Sequence, residues 1–151
     1  MSDDNLSELD RIAIEWSCAR LINQFAHLND ASDFEALAAL FAEDGVFARP
    51  TMPDKPMVGR STILAQFKLR PPRTLRHVMS TPVITVESPT SARGVCYIVL
   101  YAGPPPGEGH VGPVKADPAE LVGTFHDRFV KVGGQWLFAE RLGSLQLTTL
   151  Q

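Results

Sequence analysis

Apolar and polar positions in the first third of the chain alternate with helical spacing. From Leu9 through Leu28 no Pro or Gly intervenes; Leu9, Ile12, Trp16, Ala19 and Asn23 form one stripe, and Ile14, Cys18, Leu21, Phe25 and Leu28 a second. A helix apolar on more than one side is expected to be largely buried. Ser7 stands at its cap position, with Glu8 and Asp10 in the opening turn. A second helix is expected from about Asp33 to Ala42, with Phe34, Leu37, Leu40 and Phe41 inward and Ser32 and Glu35 at capping-box spacing. "GVFARP" reads as a short strand and "TMPDKPMVG" as a Pro-rich loop. "STILAQFKLR" reads as a short third helix, capped by Ser61 and stopped by Pro71 and Pro72.

After Pro72 the period changes. "TLRHVMSTPVITVES", "SARGVCYIVLYAG", "LVGTFHDRFVKV" and "GQWLFAERLGSLQL" are rich in β-branched and aromatic residues, and "KVGGQW" carries a Gly-Gly hairpin signal. "AGPPPGEGHVGPVKADP", from Ala102 to Pro118, is too rich in Pro and Gly for regular structure and is either a long hairpin loop or a flap. Helices first and strands afterwards predict an α+β domain spanning 1–151, a strongly curved antiparallel or mixed sheet with helices on its inner face. In "LVGTFHDRFVK" the set Leu121, Gly123, Phe125, Asp127 and Phe129 is expected to face the helices, which puts His126 outside. "VCYIVLY" is apolar on both faces. Such a strand needs two covers, the helices on one side and a second subunit on the other, so a homodimer through the outer sheet face is expected.

Composition narrows the functional classes. The 151 residues carry a net charge of -3 and 21% charged side chains, with no concentrated basic face for nucleic acid. No apolar run approaches a membrane span, and the start "MSDDNLSELD" is polar and acidic. Cys18 and Cys96 lie in apolar patterns and read as buried thiols of a reducing compartment, which makes the cytoplasm the expected location. There is no phosphate-binding loop, dinucleotide fingerprint, nucleophile elbow or cysteine pair, and His27, His77, His110 and His126 form no metal-ligand spacing. No metal and no cofactor are expected.

General acid-base chemistry is left. Asp30 closes the first helix, where the negative dipole end disfavours another negative charge. It either makes a turn with Asn29 or has a partner. His77, in "LRHVMS", shares a strand face with Leu75 and Met79; it is either a core imidazole bonded to a backbone carbonyl or a group poised to exchange a proton near neutral pH. Arg49 in "VFARP" and Arg141 in "WLFAERLG" interrupt apolar strands and are either strand-end surface residues or ligands for a carboxylate, phenolate or enolate oxygen. His27, three residues before Asp30, is most simply its helix-surface partner, and His110 is expected in solvent.

The order of helix, "LND-x-x-DF-EALAALFAEDGVF", loop, "VGRSTI", "RHVMS" and long strands ending "GQWLFAER" resembles the SnoaL-like branch of the nuclear transport factor 2 superfold, over about Ile12 to Leu147. The resemblance implies a cone-shaped α+β barrel of cystatin-like type, whose curved sheet and three N-terminal helices enclose an apolar pocket, often in a dimer. It also implies a cofactor-independent lyase or isomerase, or a non-catalytic binding or accessory module of the same fold. Two members, scytalone dehydratase and hexachlorocyclohexane dehydrochlorinase, use an Asp after the first helix to orient a strand His that removes a proton. Asp30 and His77 match those positions, and Arg141 matches a pocket Arg of the dehydrochlorinase. By the same registration Phe47, Leu75, Cys96, Ile98, Leu121, Gly123 and Phe125 would line the cavity, with Arg49 beside Phe47, around a hydrophobic polyketide-, steroid- or aromatic-like molecule. The chain departs from both members: Phe25 stands where the dehydrochlorinase has a catalytic Lys, and Asn29 where scytalone dehydratase has a tyrosine.

Overall fold

A computed structural model of the protein describes residues 5–149. Helix α1 (Glu8–Asp30) and the short α2 (Phe34–Ala38) lead into strand β1 (Phe41–Ala48). Then come β2 (Met57–Val58), α3 (Arg60–Lys68), β3 (Thr74–Ser88), β4 (Ser91–Gly103), β5 (Leu121–Val132) and β6 (Gln135–Thr148). The strands form one mixed sheet in the order β2-β1-β6-β5-β4-β3. β1 runs parallel to β6, and every other neighbouring pair is antiparallel. The sheet curves strongly around the three helices without closing, so β2 and β3 remain edges. The arrangement is the cone that the resemblance implies, open along one side.

Local chemistry sets the elements' ends, in several places differently from the sequence expectation. Ser7 and Asp10 form a reciprocal capping box that starts α1. At the other end Ser32 adopts φ 56°, and the Asp33 N–H donates to the Leu28 carbonyl at 3.0 Å. That is a Schellman-type stop, which requires a left-handed residue. Ser32 is therefore unavailable as a cap for α2, and Asp33 takes that role by accepting from the Ala36 N–H. α2 ends at Ala38, four residues before the expected Ala42. Phe41 pairs with Phe138 of β6, and the Phe138 N–H donates to the Leu40 carbonyl at 2.8 Å; sheet pairing overrides helical spacing here. α3 starts at Arg60 after Gly59 (φ 95°), not at a Ser61 cap, because Arg60 is tied to the Phe41 carbonyl through Nε at 2.9 Å and a terminal nitrogen at 2.6 Å.

The core lies between the inner sheet face and α1. Of the two stripes of α1, Ile14, Cys18, Leu21 and Phe25 are buried, whereas Leu9, Ile12 and Trp16 are exposed, contrary to the expectation of a helix buried on both sides. Phe25 is fully buried at the centre of a phenylalanine cluster, 5.5 Å from Phe47 and 6.0 Å from Phe125 by ring centroid. Gly133 and Gly134, at φ 56° and 80°, turn β5 into β6, as two-residue primed hairpins require. The Pro/Gly segment is the connection between β4 and β5. It is pinned by the Asp117 N–H to the Ala102 carbonyl at 2.7 Å and by the Thr74 hydroxyl to the Pro104 carbonyl at 2.7 Å.

Candidate functional site

Two elements meet where α1 runs out against β3. Asp30, in the last turn of α1, faces the early part of β3 instead of its helix neighbour His27, which is exposed. Its Oδ1 lies 2.6 Å from His77 Nδ1, and its Oδ2 accepts the His77 backbone N–H at 3.1 Å. The His77 and Asp30 side chains are only 8% and 11% exposed, so solvent screens the contact little. A carboxylate offers only acceptors, so the hydrogen sits on Nδ1, and in the neutral ring the lone pair is on Nε2. Asn29 Nδ2 lies 3.4 Å from that Nε2, long enough for a weak contact. The orientation of the amide is set from its far side, because Arg70 donates to Asn29 Oδ1 at 2.9 Å and only the oxygen can accept. A chain of contacts therefore runs Arg70–Asn29–His77–Asp30.

Three of these residues border a cavity of about 210 Å³. Asn29, Arg70 and His77 supply one wall; Phe25, Phe47, Phe67 and Phe125 supply aromatic faces; and Ile98, Leu121 and Arg49 also line it. Of the residues expected there from sequence, Phe47, Arg49, His77, Ile98, Leu121 and Phe125 line the cavity. Asp30 reaches it through His77. Leu75, half-buried on β3, is not among the lining residues, nor is the fully buried Cys96. Gly123, although buried on the inner face of β5, is not among them either.

Arg141 needs the larger correction. It is 0% exposed and does not line the cavity. Its Nη1 lies 2.5 Å from Oδ2 of Asp127, the residue opposite it across β5 and β6, and its guanidinium sits 3.9 Å from the Phe125 ring centroid and 4.6 Å from that of Phe25. Sequence pattern set Asp127 on the inner face but gave no sign that its partner was Arg141, because register is a tertiary property. Arg141 Nε and Asp127 Oδ1 are buried without a hydrogen-bond partner. Burial pushes the Asp127 carboxyl above its ordinary range, and the Arg141 charge opposes that push. The nearby thiols are likewise raised, Cys96 by burial and Cys18 to about 12 by burial and then by the Asp127 charge. Neither resembles an activated nucleophile.

In the sequence Asn29 reads as a turn residue at the place of the scytalone dehydratase tyrosine, and Arg70 has no assigned role. Arg70 stacks on Phe67 at 5.1 Å and Phe34 at 5.8 Å, and Arg49 lies 5.7 Å from the same Phe67 ring. Burial lowers the pKa of both guanidiniums; the Arg49 charge lowers that of Arg70 further, and Asp30 opposes it. Among the described residues no cluster of three or more His, Cys, Asp or Glu could hold a metal ion, and no helix is long and apolar enough to cross a membrane.

Comparison with known proteins matches this architecture. A solved structure of a proposed scytalone dehydratase from Novosphingobium aromaticivorans DSM 12444 superposes with a TM-score of 0.76 at 23% identity, covering 95% of this chain and 91% of the other. Hexachlorocyclohexane dehydrochlorinase, LinA type 2, gives 0.78 at 16% identity over 95% and 92%. ActVI-ORFA of Streptomyces coelicolor gives 0.70 at 18% identity over 89% and 98%. At these identities the likeness is one of fold. No curated protein matches the chain by sequence. The model of the SnoaL-like domain matches residues 10–142, nearly the whole of the helices and sheet just described, and the chain belongs to that family.

Proposed function

We propose that the protein is a cofactor-independent lyase or isomerase that removes a proton from carbon next to a carbonyl in a small, mostly apolar molecule of polyketide, steroid or aromatic type. His77 is the general base through Nε2. Asp30 holds the ring by Nδ1 and stabilises the imidazolium that forms. Arg49, on the cavity wall, stabilises the oxygen that gains charge as the enolate develops. Arg141 takes no part in this scheme, being enclosed with Asp127. The observation that carries the proposal is the 2.6 Å Asp30–His77 contact at the edge of an apolar cavity, with the free lone pair of His77 covered only by a 3.4 Å amide contact. A substrate proton can replace that amide, since a 3.4 Å hydrogen bond is easily given up. A positioned base contributes about a hundred- to ten-thousand-fold in rate.

Proton abstraction can be read without knowing the natural substrate. Bicyclic ketones such as 2-tetralone, incubated with the protein in deuterated water, should exchange their acidic α-hydrogens faster than in buffer, by NMR. His77→Gln should slow the protein-dependent exchange by about a hundredfold or more. Equal exchange with the two proteins would take His77 out of the chemistry and leave a binding module of the same fold. The protein acts as a homodimer through the outer sheet face, where Val83, Tyr97 and Tyr101 are exposed.

A further inference from the structure

Arg70 was assigned nothing by the sequence, and it changes the electrostatics of the cavity. Two guanidiniums, Arg49 and Arg70, line the same small space and lie 5.7 and 5.1 Å from the same Phe67 ring centroid. Neither has a carboxylate partner among the described residues. Arg49 donates to the Gln66 carbonyl at 3.4 Å, and Arg70 donates to Asn29 Oδ1 at 2.9 Å; both acceptors are neutral. Asp30, near this end of the cavity, is hydrogen-bonded by the His77 ring and backbone. Both guanidiniums are half-buried beside apolar rings, where like charges repel more than they do in open solvent. Each guanidinium has five N–H donors, most of them uncommitted here. Asp30, whose charge acts on Arg70, offsets at most one of the two cations, so the pair keeps a net positive charge in the resting protein.

We propose that the ligand of this pocket enters already anionic: a planar, largely apolar organic carboxylate whose carboxylate bridges Arg49 and Arg70 while its ring lies among Phe25, Phe47 and Phe125. The bridge relieves the repulsion between the two cations and fixes which edge of the ring faces His77. Arg donors suit it because a guanidinium presents paired N–H groups to a carboxylate. The remaining donors of Arg49 stay free for the oxygen beside the abstracted proton. The substrate class of the proposed lyase or isomerase is thereby narrowed to carboxylate-bearing rings. Binding itself does not depend on catalysis.

The test compares 2-naphthoate with its uncharged isostere 2-naphthamide by calorimetric titration of the full chain. Wild type should bind the carboxylate at least about tenfold more tightly than the amide, and the preference should shrink as salt rises. Arg49→Met and Arg70→Met, which keep side-chain length and lose charge, should each bring the two probes to within about threefold. His77→Gln should leave the preference intact, so that failure of the proposed chemistry is separable from failure of the anion site. Equal affinities in wild type, or no saturable binding of either probe, would overturn the proposal whatever the variants do. A preference that survives both Arg substitutions would also overturn it.

Discussion

Asp30 and Asp127 are two acids in energetically awkward places, and each is explained by one partner. Asp30 lies at a helix C-terminus, where the dipole disfavours it by a few tenths to about 1 kcal/mol. Three donor contacts from His77, ring and backbone, outweigh that penalty. Asp127 is fully enclosed, and Arg141 is its main compensation. Arg141→Met should therefore destabilise the fold by about 3–5 kcal/mol, since it strands a buried charge. The loss should depend on pH in a definite direction. A carboxyl whose folded pKa is raised favours its neutral form in the fold, so its contribution to stability is lost as pH rises through that value. The melting-temperature deficit of the variant should be smallest in acid and grow as pH rises above the ordinary carboxyl range. A deficit that does not vary with pH would mean that Asp127 finds another cation.

Among the elements, β5 and β6 carry the tightest fit. Gly123 stands at the register shift between Val122 and Gly123, and a Cβ placed there would lie 2.4 Å from the Ser144 carbonyl oxygen. That oxygen belongs to the backbone of β6 and cannot turn aside. Gly123→Ala should cost about 1–3 kcal/mol, read as a lower urea midpoint at unchanged slope. Gly107, in the β4–β5 connection, has nothing within 4 Å of such a Cβ, and Gly107→Ala should leave the midpoint where it is. If the two variants unfold alike, close approach at Gly123 is not limiting. The elements misplaced by sequence reading fail for related reasons. α2 was expected to continue through Phe41 and Ala42 because those residues keep helical spacing, but the Phe41–Phe138 pairing is a non-local contact that spacing cannot express.

At the scale of the whole molecule, the outer sheet face exposes several apolar side chains. Val83 pairs with Val95 and Val78 with Val99, which puts them on one face with Tyr97 and Tyr101. Val83 is 60% exposed and Tyr97 54%. A contiguous apolar face of this kind is ordinarily covered. Sedimentation equilibrium should find a dimer, and Val83→Glu combined with Tyr97→Arg should shift it towards monomer; wild type that stays monomeric at every concentration would leave the face to another role. Sequence alone determined the order of the three helices and of five strands, with β2 (Met57–Val58) taken for loop, the inner and outer faces of β5, the Gly-Gly hairpin and the match of Asp30 and His77 to a known pair. Each of these is local, set by period, turn chemistry or motif. Only the tertiary structure decided that Arg141 is enclosed by Asp127 and aromatic rings, that Leu75 and Cys96 miss the cavity, and that Asn29 and Arg70 join the wall beside His77. Those outcomes depend on cross-strand register and on where α3 delivers its last turn. Both are fixed by contacts between residues far apart in the chain, which no local pattern encodes.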